Sequence, residues 1–191
     1  MDIITIFTPV QNPDQELGLL SIQYDGEEQC EFDKLFENWQ SPTYMAEFCQ
    51  QNLVDIYVKF GCAINAEDAA RELMDEADDL LEILVQFAKG ESSSGLLQHL
   101  FKPLNNHETN IVVLQLSKGS AATRHRKNTR LRIYAVRIGK NTYVVTGGAI
   151  KLTNRMEERD HTSKELTKLK MVRDWLKKEG ISYPEDLNDL L

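Results

Sequence analysis

The sequence predicts an α+β fold: a small antiparallel sheet closed by a C-terminal helix, carrying an acidic helical insertion. Three observations point there. Apolar residues recur at helical spacing through 31–39 and 65–89. From 111 the pattern changes to runs rich in Val, Ile, Thr and Tyr, the composition of strands. A last segment, HTSKELTKLKMVRDWLKKEG, returns to helical period.

In chain order, an unclear leader gives way to SIQYDG (21–26), a short strand ending in a turn. EFDKLFENW places Phe32, Leu35, Phe36 and Trp39 on one helical stripe. Ser41-Pro42 then reads as an N-cap followed by proline at the first helical position, starting a helix with Met45, Phe48 and Val54 inward. The strongest helix of this half starts at Asn65. It buries Ala66, Ala69, Ala70, Leu73, Ala77, Leu80, Leu81 and Leu84, covers its other face with Asp and Glu, and stops at Gly90. ESSSG (91–95) is a joint, and GLLQHLFKPL a short helix ending at Pro103. IVVLQL (111–116), LRIYAVRI (131–138) and NTYVVTGGAIKL (141–152) are strands, the last two joined at Gly139-Lys140 as an antiparallel hairpin. Thr162, three residues before Glu165, predicts a capping box, with Leu166, Leu169, Val172 and Leu176 buried and Gly180 ending the helix. The organisation is therefore 1–40 as opening strand and helix, 41–100 as acidic helical insertion, and 101–191 as a basic sheet and helix forming one composite domain with 1–40.

Charge divides the chain the same way. A net charge of −8 combines 4 Lys+Arg against 20 Asp+Glu in residues 1–100 with 18 against 10 in residues 101–191. A basic module that size attracts polyanions by a salt-dependent mechanism. No apolar run approaches eighteen residues and the N-terminus lacks a signal-peptide pattern, so no membrane role and a cytoplasmic protein are expected. Cys30, Cys49 and Cys62 form no CxxC, and the four histidines show no HxH or HxxxH spacing, so neither a disulfide framework nor a zinc site is expected, and no cofactor.

Three features of the basic half suit a phosphate. The loop SKGSAATRHRKNTR offers Lys118, Arg124, Arg126, Lys127 and Arg130; the alternative is a solvated hairpin tip. Strand alternation sets Arg130, Arg132 and Tyr134 on one face, where arginine grips a phosphate and tyrosine stacks on a base. The alternative there is ion pairing with the acidic half. Arg137 falls on the apolar face, which predicts a bulge or strand end nearby. Finally, Gly147-Gly148 signals a bulge or close backbone approach. Beyond it Lys151, Arg155, Arg159, His161 and Lys164 gather before a helix N-terminus. Lys, Arg, His and Tyr suffice for metal-free RNA cleavage: a base takes the 2′-OH proton, cations stabilise the transition state, and an acid protonates the leaving oxygen.

LRIYAVRIGKNTYVVTGGAIKLT followed by TSKELTKLKMVRDWL resembles the RelE/HigB superfamily of toxin-like mRNA endonucleases, in its phage-derived HigB-like branch. YDGEEQCEFDKLF resembles the family's opening strand and helix. Arg132 falls at the strand arginine, and Gly148, Lys151 and Thr153 at the Gly, first Lys and Thr of a G-F-x-K-K-T-like sequence. Leu152 stands in place of the second lysine and Ala149 in place of the aromatic. The resemblance implies a toxin cleaving mRNA, at the ribosome in some members, neutralised by an antitoxin with a DNA-binding helix-turn-helix domain. It implies catalytic roles for Arg132 and Lys151, with His161 assisting proton transfer. Arg124, Arg126, Lys127, Arg130, Tyr134, Arg155 and Lys164 would bind RNA. The second reading is a non-catalytic RNA- or protein-binding module with the same fold. A third is head-to-tail association of acidic and basic lobes into a homo-oligomer. The acidic helices are read either as a solvated surface or as a shield over the basic face.

Overall fold

The computed structural model describes residues 1–8, 18–60, 64–89, 97–105, 113–121 and 129–187. Its centre is one six-stranded sheet in the order β1-β2-β6-β5-β4-β3. The strands are β1 (Asp2–Phe7), β2 (Gly18–Gln23), β3 (Lys102–Pro103), β4 (Gln115–Gly119), β5 (Leu131–Arg137) and β6 (Thr142–Ile150). The sheet is larger than predicted and mixed, since β2 runs parallel to β6 while every other neighbouring pair is antiparallel. The unclear leader supplies β1, an edge strand on β2.

Both faces of the sheet are covered. Helices α1 (Glu31–Trp39), α2 (Pro42–Gln51), α3 (Leu53–Phe60) and α4 (Ala66–Ala88) belong to one side. Their core residues Trp39, Met45, Ile56, Leu73 and Leu80 form one cluster with Leu19, Leu131, Ile133, Ala135 and Val145. Helix α5 (Asp160–Lys178) covers the other side, where Leu169, Val172 and Leu176 meet Leu20, Tyr134, Val136 and Val144. The acidic helices are thus half of the main core rather than an appended lobe. The described helices include none long and apolar enough to cross a membrane.

Local chemistry explains most boundaries. Ser41 Oγ accepts the Tyr44 N–H at 3.3 Å and Pro42 opens α2; Asn65 Oδ1 accepts the Asp68 N–H at 2.8 Å and opens α4. The hairpin closes at Gly139-Lys140, with the Ile138 and Gly139 N–H groups donating to Thr142 O. Gly90 and ESSSG fall outside the described residues, as does part of GLLQHLFKPL, of which a 3₁₀ turn, Leu97–His99, remains.

Three expectations are corrected, and a fourth is met. The strand predicted at 111–116 begins only at Gln115, because Val113 and Leu114 make a turn in which Leu114 has φ 53°. Val54 is 75% exposed, because α2 ends at Asn52 and α3 starts a new axis. Strand β5 ends at Arg137, the strand end expected there: Arg137 shares the face of Leu131 and is buried, donating to Gly139 O at 2.9 Å. A bulge also forms in β6 beside Gly147, as the glycine pair signalled: Tyr134 pairs with Gly147 and Ala135 with Val145, leaving Thr146 extra. The capping box at Thr162 does not form, for α5 already starts at Asp160. Thr162 Oγ1 instead donates to the Met156 and Arg159 carbonyls. Glu165 is buried against the Gly147 backbone, where a Cβ would lie 1.9 Å from its Oε2.

Candidate functional site

A groove of about 710 Å³ opens beside the hairpin, on the α5 face of the sheet. Its wall is set by strand register. Tyr134 of β5 lies opposite Lys118 of β4, so the two side chains are cross-strand neighbours. Lys151 follows β6 directly and stays tied to the sheet through its N–H, which donates to Arg130 O at 2.7 Å. Leu104, Asn105, Asn154, Arg155, Met156, Glu157 and Leu166 complete the lining.

Charge is unevenly matched there. Arg132, one pleat from Tyr134, donates from Nη1 to Thr129 Oγ1 at 2.9 Å and Leu131 O at 2.7 Å, both neutral acceptors. Lys118 Nζ donates to Leu104 O at 2.9 Å. Lys151 Nζ has no hydrogen bond or ion pair among the described residues. Burial pulls the Lys118 ammonium below its ordinary pKa, and the Lys151 and Arg132 charges push it further down. Lys151 is lowered by burial first, then by Arg132 and by Lys59 from the end of α3; Glu158 and Glu157 oppose this. Burial lowers Arg132 as well, against the pull of Glu76 and Tyr134. Partly buried cations this close together, with Arg132 lowering both lysines, favour an anion between them. At its floor, Tyr134 is 1% exposed, its hydroxyl finds no partner among the described residues, and burial raises its pKa. A buried hydroxyl of that kind is a donor waiting for an acceptor.

The structure thus brings Tyr134, Lys151 and Arg155 to one groove, with Arg132 beside it within electrostatic reach of Lys118 and Lys151, and leaves the other predicted residues elsewhere. Arg130 is turned toward the acidic helices. It lies 3.8 Å over the Phe60 ring and pairs with Glu72 at 3.3 Å and Glu76 at 3.8 Å. That is the ion-pair alternative, realised for this residue. His161 and Lys164 line a second cleft of about 240 Å³ between α1, α2 and the first turns of α5, beyond the last β2–β6 pair at Val145. His161 Nε2 lies 3.0 Å from Ile150 O and its ring stands edge-on to Phe48, which separates it from the Lys151 groove. Arg159 forms a two-pronged ion pair with Asp55 at 2.6 Å, holding α3 to the start of α5. Arg124, Arg126 and Lys127 lie outside the described residues.

One cation of the groove, Lys118, and one cation that acts on it from outside, Lys59, escaped prediction as site residues. Lys118 was visible only as one of five loop cations, because the loop reading hid its place in β4. Lys59 sits in the acidic half, where no local pattern marks it. Among the described residues no three His, Cys, Asp or Glu side chains cluster as metal ligands.

Compared with protein-family models, with characterised proteins and with solved structures, the chain finds no match.

Proposed function

We propose that this protein binds RNA through the Lys118–Arg132–Lys151 groove and cleaves it there as a HigB/RelE-like, metal-independent endoribonuclease. The observation that carries the reading is the shared groove of Lys118, Lys151 and the unpartnered Tyr134, with Arg132 within electrostatic reach of both lysines. Arg132 and Lys151 would hold the scissile phosphate, and Arg155 the adjoining one. Lys151, shifted down by burial and by its cationic neighbours, is the best-placed group for proton transfer. Tyr134 donates to a phosphate oxygen whose charge grows in the transition state. The packing of α1 on one face and α5 on the other face of a sheet that contains β2 and the β5–β6 hairpin supports the resemblance stated above. By that resemblance the partner is a helix-turn-helix antitoxin, and the substrate is mRNA at the ribosome.

A second reading, RNA binding without cleavage, is favoured by His161, which faces Ile150 and Phe48 rather than the groove. Induced expression in a bacterial host separates the two. Cleavage predicts growth arrest and shortened mRNA for wild type and relief by Lys151→Ala. Normal growth with intact mRNA, together with retained RNA binding, selects the second reading. If Lys151→Ala stays as toxic as wild type, the assignment of the groove is wrong.

A further inference from the structure

The first groove does not end at Asn105. A second hollow of about 280 Å³ shares Leu104 and Asn105 with it and continues between β4 and the later turns of α5. Helix α5 contributes Leu166 to the first and Arg173 and Lys177 to the second. Those positions stand seven and four residues apart, which puts them on one face of the helix. The facing wall is Val113, Leu114, Gln115 and Leu116, mostly apolar and with Val113 its exposed member. Val113 is 52% exposed, and Leu114 holds a positive φ of 53°, a conformation that leucine seldom adopts away from functional sites.

We infer that the two hollows form one track for single-stranded RNA, in which Arg173 and Lys177 hold phosphates beyond the Lys151 site. The inference rests on the phosphate-binding reading of the first groove and extends it to the length and strandedness of the ligand. Cations on one wall and apolar side chains on the other match a single strand, whose phosphates and bases separate to opposite sides. A duplex keeps its bases stacked inside and offers the apolar wall nothing. Leu166 and Lys177 are eleven positions apart, about 16 Å of helix at 1.5 Å per residue. A stacked strand advances about 3.4 Å per nucleotide, so this length takes at most about five nucleotides. Arg173 Nε and Nη2 lie 3.0 Å from Asp174 Oδ1, an exposed pair that a phosphate can replace.

The test is fluorescence anisotropy with 5′-labelled oligouridylates of three and eight nucleotides at low salt. The proteins are wild type, Lys151→Ala and the Arg173→Ala/Lys177→Ala double variant, each checked for fold by circular dichroism. The double variant is expected to bind the octamer about tenfold more weakly, with a salt slope flatter by about 1.4, two phosphate contacts at 0.7 each. Its trimer affinity stays within twofold of wild type. Arg173→Glu, which keeps the helix and reverses the charge, deepens the octamer loss. If Lys151→Ala weakens both oligomers while the double variant and Arg173→Glu alter neither, the track is overturned and the first groove stands. Equal binding of an eight-base-pair duplex overturns the single-strand assignment. If wild type binds no RNA, the phosphate reading fails and the track with it.

Discussion

Gly147 shows how closely the functional hairpin is fitted to its surroundings. Its φ is +151°, and a Cβ there would lie 1.9 Å from Glu165 Oε2 and 3.3 Å from Glu31 Oε2. Gly147→Ala should therefore lower stability by about 2 kcal/mol, read as a reduced urea midpoint, since carboxylate and backbone must both move. The same carboxylate makes stability depend on pH. Burial raises Glu165 to about 7 from an ordinary 4.5, against the pull of Lys168 and with added repulsion from Glu31. Lys168 bridges the two, 2.9 Å from Glu31 Oε2 and 3.1 Å from Glu165 Oε1, and Lys34 caps Glu31. Because the folded value lies above the unfolded one, folding favours the protonated form. This contribution is full below pH 4.5 and is lost as pH rises through about 7. Glu165→Gln should flatten the stability profile across that window, by at most about 3 kcal/mol. An unchanged profile in denaturant titrations at pH 5 and pH 8 would remove Glu165 as its source.

At the scale of elements, the most deeply buried tie between the two charge halves is one carboxylate. Glu76 of α4 is fully buried, and its Oε1 accepts the N–H groups of Arg130 and Leu131, both at 2.6 Å, where β5 begins. Burial raises its pKa, opposed by those N–H groups and by the Arg130 and Arg132 charges. Glu76→Ala strands the donors and should cost about 3 kcal/mol, with Glu76→Gln milder because it keeps an acceptor. Thermal melts of the two variants check the order. The sequence could not reveal this residue, which reads as one more acid on an acidic helix. What it did reveal was whatever local chemistry decides: the Ser41-Pro42 and Asn65 starts, the Gly139-Lys140 hairpin and the inward stripe of α5. It missed what pairing partners decide. Strand β1 and the parallel β2–β6 contact are long-range choices, and β4 is built from Gln-Leu-Ser-Lys-Gly, a composition that reads as loop. The site divided likewise. Strand alternation placed Arg132 with Tyr134, whereas nothing local told that His161 turns to Ile150 and Arg130 to Glu72.

For the whole molecule, the sheet is the divider between acid and base. Helix α4 packs its buried stripe on the α1–α3 side, while the groove opens on the α5 side. The acidic helices pack behind the sheet that carries the groove, through Glu76 and Phe60, and pair Arg130 and Arg159 rather than the groove cations. Deleting residues 66–89 should consequently unfold the protein rather than raise RNA affinity, because Leu73, Ala77, Leu80 and Leu84 leave the core with them. A folded deletion variant with tighter RNA binding would restore the shielding reading. The most direct test of the account is the salt dependence of single-stranded RNA binding by wild type and by Lys118→Ala/Lys151→Ala. The account predicts a loss of affinity of at least tenfold at low salt and a slope reduced by about 1.4, for two phosphate contacts. Equal affinity and equal slope for the two proteins would contradict it.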